Sequence, residues 1–150
     1  MISSLRRPRT VVDVGVLVEA LLEPDGVSGH VLRHWLRHRS FEMVMSDEIL
    51  AELDRTLDDR TVRRRLGPER GRAERLSAAL GILATFVPST GSVRTPVPAD
   101  PDDEVYLAAA DAARAPLIVT NDPHLLSIEA WPELEILTPR GFLDLLLVAS

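Results

Sequence analysis

Cysteine is absent from the 150 residues, which at once excludes disulfides, thiolate zinc centres and cysteine nucleophiles. Lysine is absent as well, so all 17 basic side chains are arginine. Arginine suits bidentate phosphate contacts, although a biased genome composition accounts for its exclusive use equally well. No apolar run approaches the ~18 residues of a membrane span. The opening Met1-Ile-Ser-Ser-Leu-Arg-Arg-Pro-Arg9 lacks the apolar centre of a secretory signal. No Gly-x-Gly-x-x-Gly follows the first apolar run, so the dinucleotide-binding fingerprint is missing. With no export or membrane signal, the expected location is the cytoplasm.

What remains is an ordinary globular composition, 45% hydrophobic and 27% charged, of a length that suits one domain over residues 1–150. The formal net charge of −6 argues on its face against a nucleic-acid partner. Position changes that reading. Residues 55–75 hold eight arginines against four acids, whereas the remainder holds nine arginines against nineteen acids. The acidity therefore lies outside the basic segment, and the question is whether part of it forms a site.

Short apolar runs alternate with helical stretches. Thr10-Val-Val-Asp-Val-Gly15, Phe41-Glu-Met-Val-Met45, Leu117-Ile-Val-Thr120 and Leu134-Glu-Ile-Leu137 read as four strands. Helices are expected over 16–22, over 28–38 with Ser28 as cap, over 46–57 with Ser46 as cap, and through the basic segment toward Phe86 with a break near Gly67-Pro68. Residues 88–98, with three prolines, read as a loop. Further helices are expected over 101–114, from Pro123, and from Thr138-Pro139 to about Val148. The run Phe142 to Val148 is simplest as a core helix, with a partner groove as the alternative. Strands separated by helices imply a mostly parallel sheet covered on both faces, a three-layer α/β/α sandwich. Ligands in such sheets bind beyond the carboxyl ends of the strands.

Four acids stand out there. Asp13 interrupts the apolar run Val11 to Val18, where a buried carboxylate is costly unless it is paired, hydrogen-bonded or metal-bound. Capping the next helix is the plain alternative. Asp103 belongs to Asp100-Pro-Asp-Asp-Glu104, explained by capping and the helix dipole, yet dense enough in carboxylates that a divalent cation would relieve repulsion. Asp122 in Thr120-Asn-Asp-Pro123 is fully explained as a cap but sits at a strand's carboxyl end. Glu52 borders the Ile49/Leu53 stripe and is otherwise an ordinary solvated glutamate. Together, Asp13, Glu52, Asp103 and Asp122 fall toward one sheet edge. Hard oxygen donors select Mg²⁺ or Mn²⁺, with water and a substrate phosphate completing the shell.

The motifs Asp13-Val-Gly-Val-Leu-Val, Ser46-Asp-Glu-Ile-Leu-Ala-Glu52-Leu, Asp100-Pro-Asp-Asp103-Glu-Val-Tyr-Leu-Ala-Ala-Ala, Val119-Thr-Asn-Asp122-Pro-His-Leu-Leu and Leu137-Thr-Pro-Arg-Gly-Phe-Leu occur in that order. The order resembles the PIN-domain proteins, and most closely the VapC-like ribonuclease toxins of bacterial toxin–antitoxin pairs. The resemblance covers residues 10–143. It implies an α/β/α fold and Mg²⁺- or Mn²⁺-dependent cleavage of single-stranded RNA by Asp13, Glu52, Asp103 and Asp122, with Thr120 as the accompanying hydroxyl residue. It also implies a cognate antitoxin, and such domains often pair as homodimers. Two departures are visible. The family usually follows its first acid with Thr-Asn or Ser-Asn, whereas Val14 and Gly15 follow Asp13, and His124 stands where an acid is common.

The expected activity is therefore that of a metal-dependent endoribonuclease toxin. Arg60, Arg63, Arg64 and Arg65 are expected either to grip RNA phosphates or an acidic antitoxin segment, or to form a solvated face paired with nearby acids. His30, Arg33, His34, Arg37 and His38 are expected on one solvent-exposed helix face. The alternative function is a PIN-fold binding or regulatory module whose catalytic site is weakened by Gly15. An aspartyl phosphotransferase using Asp13 ranks below both, because the second acid it needs two residues on is Gly15.

Overall fold

The computed structural model describes residues 7–88, 103–128 and 133–149. Most of the expected loop, residues 89–98, and the expected helix opening at Asp100-Pro101 lie outside them. In chain order the elements are β1 (Arg9–Val12), α1 (Val14–Leu22), α2 (Val27–His38), β2 (Glu42–Met45), α3 (Asp47–Leu57), α4 (Arg60–Leu66), a 3-10 turn (Gly67–Glu69), α5 (Arg70–Leu83), β3 (Thr85–Phe86), α6 (Glu104–Ala113), β4 (Leu117–Val119), α7 (Pro123–Leu126), β5 (Glu135–Leu137) and α8 (Pro139–Ala149). Among the described residues, five strands form one sheet in the order β3-β2-β1-β4-β5, every pair parallel. The expected α/β/α sandwich is the fold. No described helix is long and apolar enough to cross a membrane.

The sheet is a continuous apolar slab because its central strands are buried on both faces. Val11, Val12, Val44, Met45, Ile118 and Val119 are each fully buried. Helical side chains such as Leu17, Trp35, Ile49, Leu53, Leu80 and Leu107 fill the layers against it, each contributing about 1.5–3 kcal/mol of burial. Phe142 of α8 meets Phe41 edge-on with ring centroids 4.9 Å apart, so the final apolar run supplies a core face through Phe142, Leu143 and Leu146, while Leu147 and Val148 are exposed.

Three local readings of the sequence are corrected. The first strand ends at Val12 rather than Gly15, and α1 begins at Val14, because the Asp13 carboxylate accepts the Gly15 amide while its carbonyl accepts those of Val16 and Leu17. Ser28 does not cap α2. The turn closed by the Gly26 amide on the Glu23 carbonyl delivers the chain into the helix two residues sooner, with Gly26 as the cap. There the helix presses so closely on the preceding turn that a Cβ on Gly29 would lie 2.0 Å from the Pro24 carbonyl oxygen. The third correction is β3, which continues the sheet where the sequence suggested the end of a helix. Ser46, by contrast, caps α3 as expected, its hydroxyl accepting from the Ile49 amide.

Candidate functional site

Adjacent strands β2, β1 and β4 all end at the same edge, and each hands its chain to a segment carrying a predicted residue. Asp13 leaves β1, its amide bonded to the Val119 carbonyl of β4 at 2.9 Å. Thr120 leaves β4 and is fully buried. Its hydroxyl donates to Asp13 Oδ2 at 2.6 Å and accepts from the Asp122 amide at 2.9 Å. Asp13 Oδ1 takes the Gly15 amide at 3.0 Å. Both oxygens of the first acid are thus oriented by fixed donors. A bond of this length to a charged acceptor belongs to the strong class.

Glu52 reaches the site from α3, and its partner is a residue that the sequence reading passed over. Tyr106 of α6 is buried, donates its phenolic hydrogen to Glu52 Oε2 at 2.9 Å and accepts from the Val14 amide at 3.3 Å. Burial, and then the negative charges of Asp13 and Glu52, push its hydroxyl far above the ordinary tyrosine range, so it remains a neutral donor at every working pH. The signal was present in the sequence: Tyr106 follows Asp103 by three residues, the spacing that places two side chains on one helix face. Asp103 itself occupies the N-cap position of α6 and is 2% exposed.

The predicted acids are therefore brought together unequally. Asp13 and Glu52 converge through Tyr106 and the start of α1, and Asp103 lies one turn ahead of that tyrosine. Asp122 joins through its backbone to Thr120, while its Oδ1 caps α7 by accepting from the His124 amide at 2.9 Å. Among the described residues, no three histidine, aspartate or glutamate side chains stand grouped to hold a metal ion. Gly15 is exposed, and a Cβ there would meet only Asp13 Oδ1, at an ordinary 3.8 Å.

Arg60, Arg63, Arg64 and Arg65 lie on α4, all exposed, with Arg63 3.5 Å from Asp58. They form a solvated basic face and contribute no bond to the carboxylate network. On α2, His30 and His38 are exposed but His34 is half-buried, its Nδ1 3.2 Å from Ser40 Oγ. Burial, and then the neighbouring His38 and His30, lower its affinity for a proton.

Chemically, the edge offers oriented carboxylate oxygens, one buried hydroxyl and one buried phenol beside exposed space. Oxygen-only donors of this kind suit a hard cation and a phosphate. The fold has a solved counterpart: the crystal structure of VapBC2 from Rickettsia felis bound to a DNA fragment from their promoter aligns with a TM-score of 0.57 and 16% identity, over 87% of this chain and 98% of that one. No curated protein sequence matches the chain. The sequence family described as PIN domain matches residues 9–124, a span that includes Asp13, Glu52, Asp103, Thr120 and Asp122. The chain belongs to the PIN domain family.

Proposed function

We propose that this protein is a Mg²⁺- or Mn²⁺-dependent endoribonuclease that cuts single-stranded RNA in the cytoplasm as the toxin of a toxin–antitoxin pair. The observation that carries the reading is the pair of braced carboxylates, Asp13 on Thr120 and Glu52 on Tyr106, at the strand ends of a PIN-domain chain. The residues fit such an ion. Mg²⁺ keeps several waters and takes one or two carboxylates together with substrate phosphate, so Asp13 and Glu52 suffice as its anchors, with Asp103 and Asp122 as further ligands. When bound, the ion supplies charge neutralisation at the phosphodiester and eases deprotonation of a water. The chain's own residues hold the geometry: Thr120 fixes Asp13 Oδ2, the Asp122 amide fixes Thr120, and Tyr106 fixes Glu52.

The exposed arginines of α4 serve as phosphate contacts that draw in the RNA. For the antitoxin, a different surface is better suited. A groove of about 470 Å³ between α1, α2 and α5 has Leu21, Leu32 and Leu76 among its lining, flanked by Arg33, Arg37 and Arg75. Apolar lining beside positive charge complements an acidic amphipathic segment; the likeness to a VapBC2 assembly supports an antitoxin partner.

The test is cleavage of a fluorescent single-stranded RNA with and without Mn²⁺ by wild type, Asp13→Asn and Asp103→Asn. Both variants are expected to stay folded and to lose about 100-fold or more of the metal-stimulated rate, the several kcal/mol that cation chemistry supplies. Equal rates in all three proteins overturn the proposal. A wild-type protein that neither binds Mn²⁺ in a calorimeter nor cuts RNA points instead to a binding module weakened at Gly15.

A further inference from the structure

Tyr106 is the only tyrosine in the chain, and its ring is buried among core residues of α6. A phenylalanine would fill the same volume, so packing alone does not call for the hydroxyl. That oxygen is where three helices meet: α6 carries it, the first amide of α1 donates to it at 3.3 Å, and it donates to Glu52 Oε2 of α3 at 2.9 Å. Because the Val14 amide brings its own hydrogen, the phenol's single hydrogen is directed to the carboxylate.

We infer that Tyr106 is a positioning residue of the site: by engaging Oε2 it fixes the Glu52 carboxylate over the start of α1, next to Asp13, and leaves Oε1 as the oxygen offered to a hard divalent cation. The inference rests on reading this site as a cation centre. It explains why a buried phenol stands at the meeting point of α1, α3 and α6. Partners that orient a ligand through hydrogen bonds tune metal affinity by about 10–100-fold, without touching the ion or the substrate.

Calorimetric titration of Mn²⁺ into the folded proteins, without RNA, tests the role apart from activity. Tyr106→Phe is expected to weaken Mn²⁺ binding about 10-fold and to regain most of its RNA cleavage at saturating Mn²⁺. Phe142→Leu, which disturbs the remote Phe41–Phe142 contact, serves as the packing control and is expected to bind Mn²⁺ as wild type does. Unchanged affinity in Tyr106→Phe, or equal weakening in Phe142→Leu, overturns the role of Tyr106 while leaving the cation centre standing. Absence of Mn²⁺ binding by wild type overturns the cation centre itself and the inference with it. A second measurement needs no substitution at the hydroxyl. The single tyrosine, replaced biosynthetically by 3-fluorotyrosine, gives one ¹⁹F resonance, which is expected to shift as Mg²⁺ is added, with the midpoint of the calorimetric curve, and to stay still in Glu52→Gln. A resonance unmoved at saturating Mg²⁺ overturns the inference.

Discussion

At the carboxyl ends of β1 and β4, a hydroxyl and a carboxylate meet at 2.6 Å around a fully buried threonine. On α4, four arginines are exposed, and the ion pair that Arg63 makes with Asp58 spans 3.5 Å between side chains that are 46% and 80% exposed. The two regions hold charge in opposite ways. In the first, each polar atom has a partner fixed by the sheet, and losing one strands another in a poorly solvated place. In the second, water does the solvating, and an exposed pair contributes about 0–1 kcal/mol. Fixed geometry suits bond chemistry, where sub-ångström placement matters. Mobile positive charge suits the attraction of a polyanion, which acts over a Debye length and needs no register.

The contrast is broken most directly at Thr120. Thr120→Val keeps the shape but removes the donor to Asp13 and the acceptor for the Asp122 amide. It is expected to cost about 3 kcal/mol, the upper range for a bond to a charged group, read as a lowered midpoint in urea unfolding. Arg64→Gln with Arg65→Gln is expected to leave that midpoint within about 0.5 kcal/mol, as exposed substitutions do. Its effect belongs to RNA binding, where the slope of log K against log salt should fall by about 1.4 for two lost single-strand phosphate contacts. A stability loss in the arginine pair as large as that of Thr120→Val would erase the distinction between the two regions.

Gly15→Asn sharpens the comparison at the site's open side. The added Cβ meets only Asp13 Oδ1 at 3.8 Å, so unfolding should show a stability change of less than about 1 kcal/mol, the gain from replacing a helical glycine. Metal-stimulated cleavage is expected to rise; a rate equal to wild type would show that Gly15 is not what limits the site.

The smallest effect concerns His34. Its proton affinity is lowered in the folded protein, first by burial and then by His38 and His30. Between its folded value and the unfolded value of about 6.5, the unfolded chain binds the extra proton. The folded state therefore loses stability as pH falls through that window and is unaffected above it. Denaturant unfolding at pH 5 and pH 8 should show a smaller pH-dependent loss for His34→Gln than for wild type.

Much of this was legible in the sequence, for reasons that differ by element. Asp13 stood out because a charge inside Val11–Val18 conflicts with burial, and such conflicts mark sites. The parallel α/β order followed from apolar runs alternating with amphipathic helices. β3 was hidden because two residues, one of them an exposed phenylalanine, carry no alternation, and only pairing with Val44 and Met45 makes them a strand. Ser28 looked like a cap because its type favours caps, yet Gly26 reached the position first. Tyr106 was passed over, since the partners of its hydroxyl come from α1 and α3, far away in sequence. The meeting of the Val14 amide and Glu52 at that hydroxyl was likewise a tertiary fact.

Asp13 and Thr120 are 107 positions apart in the chain, and β1 must wait for β4 on one flank before the edge that carries both exists. At about 5–20 residues per second of synthesis, roughly 5–20 seconds separate the two residues on the ribosome. Throughout that interval the nascent chain carries its first acid without the hydroxyl that orients it. On the proposed function the site is thereby made next to RNA in an unassembled state, and the order of synthesis itself acts as its first safety catch.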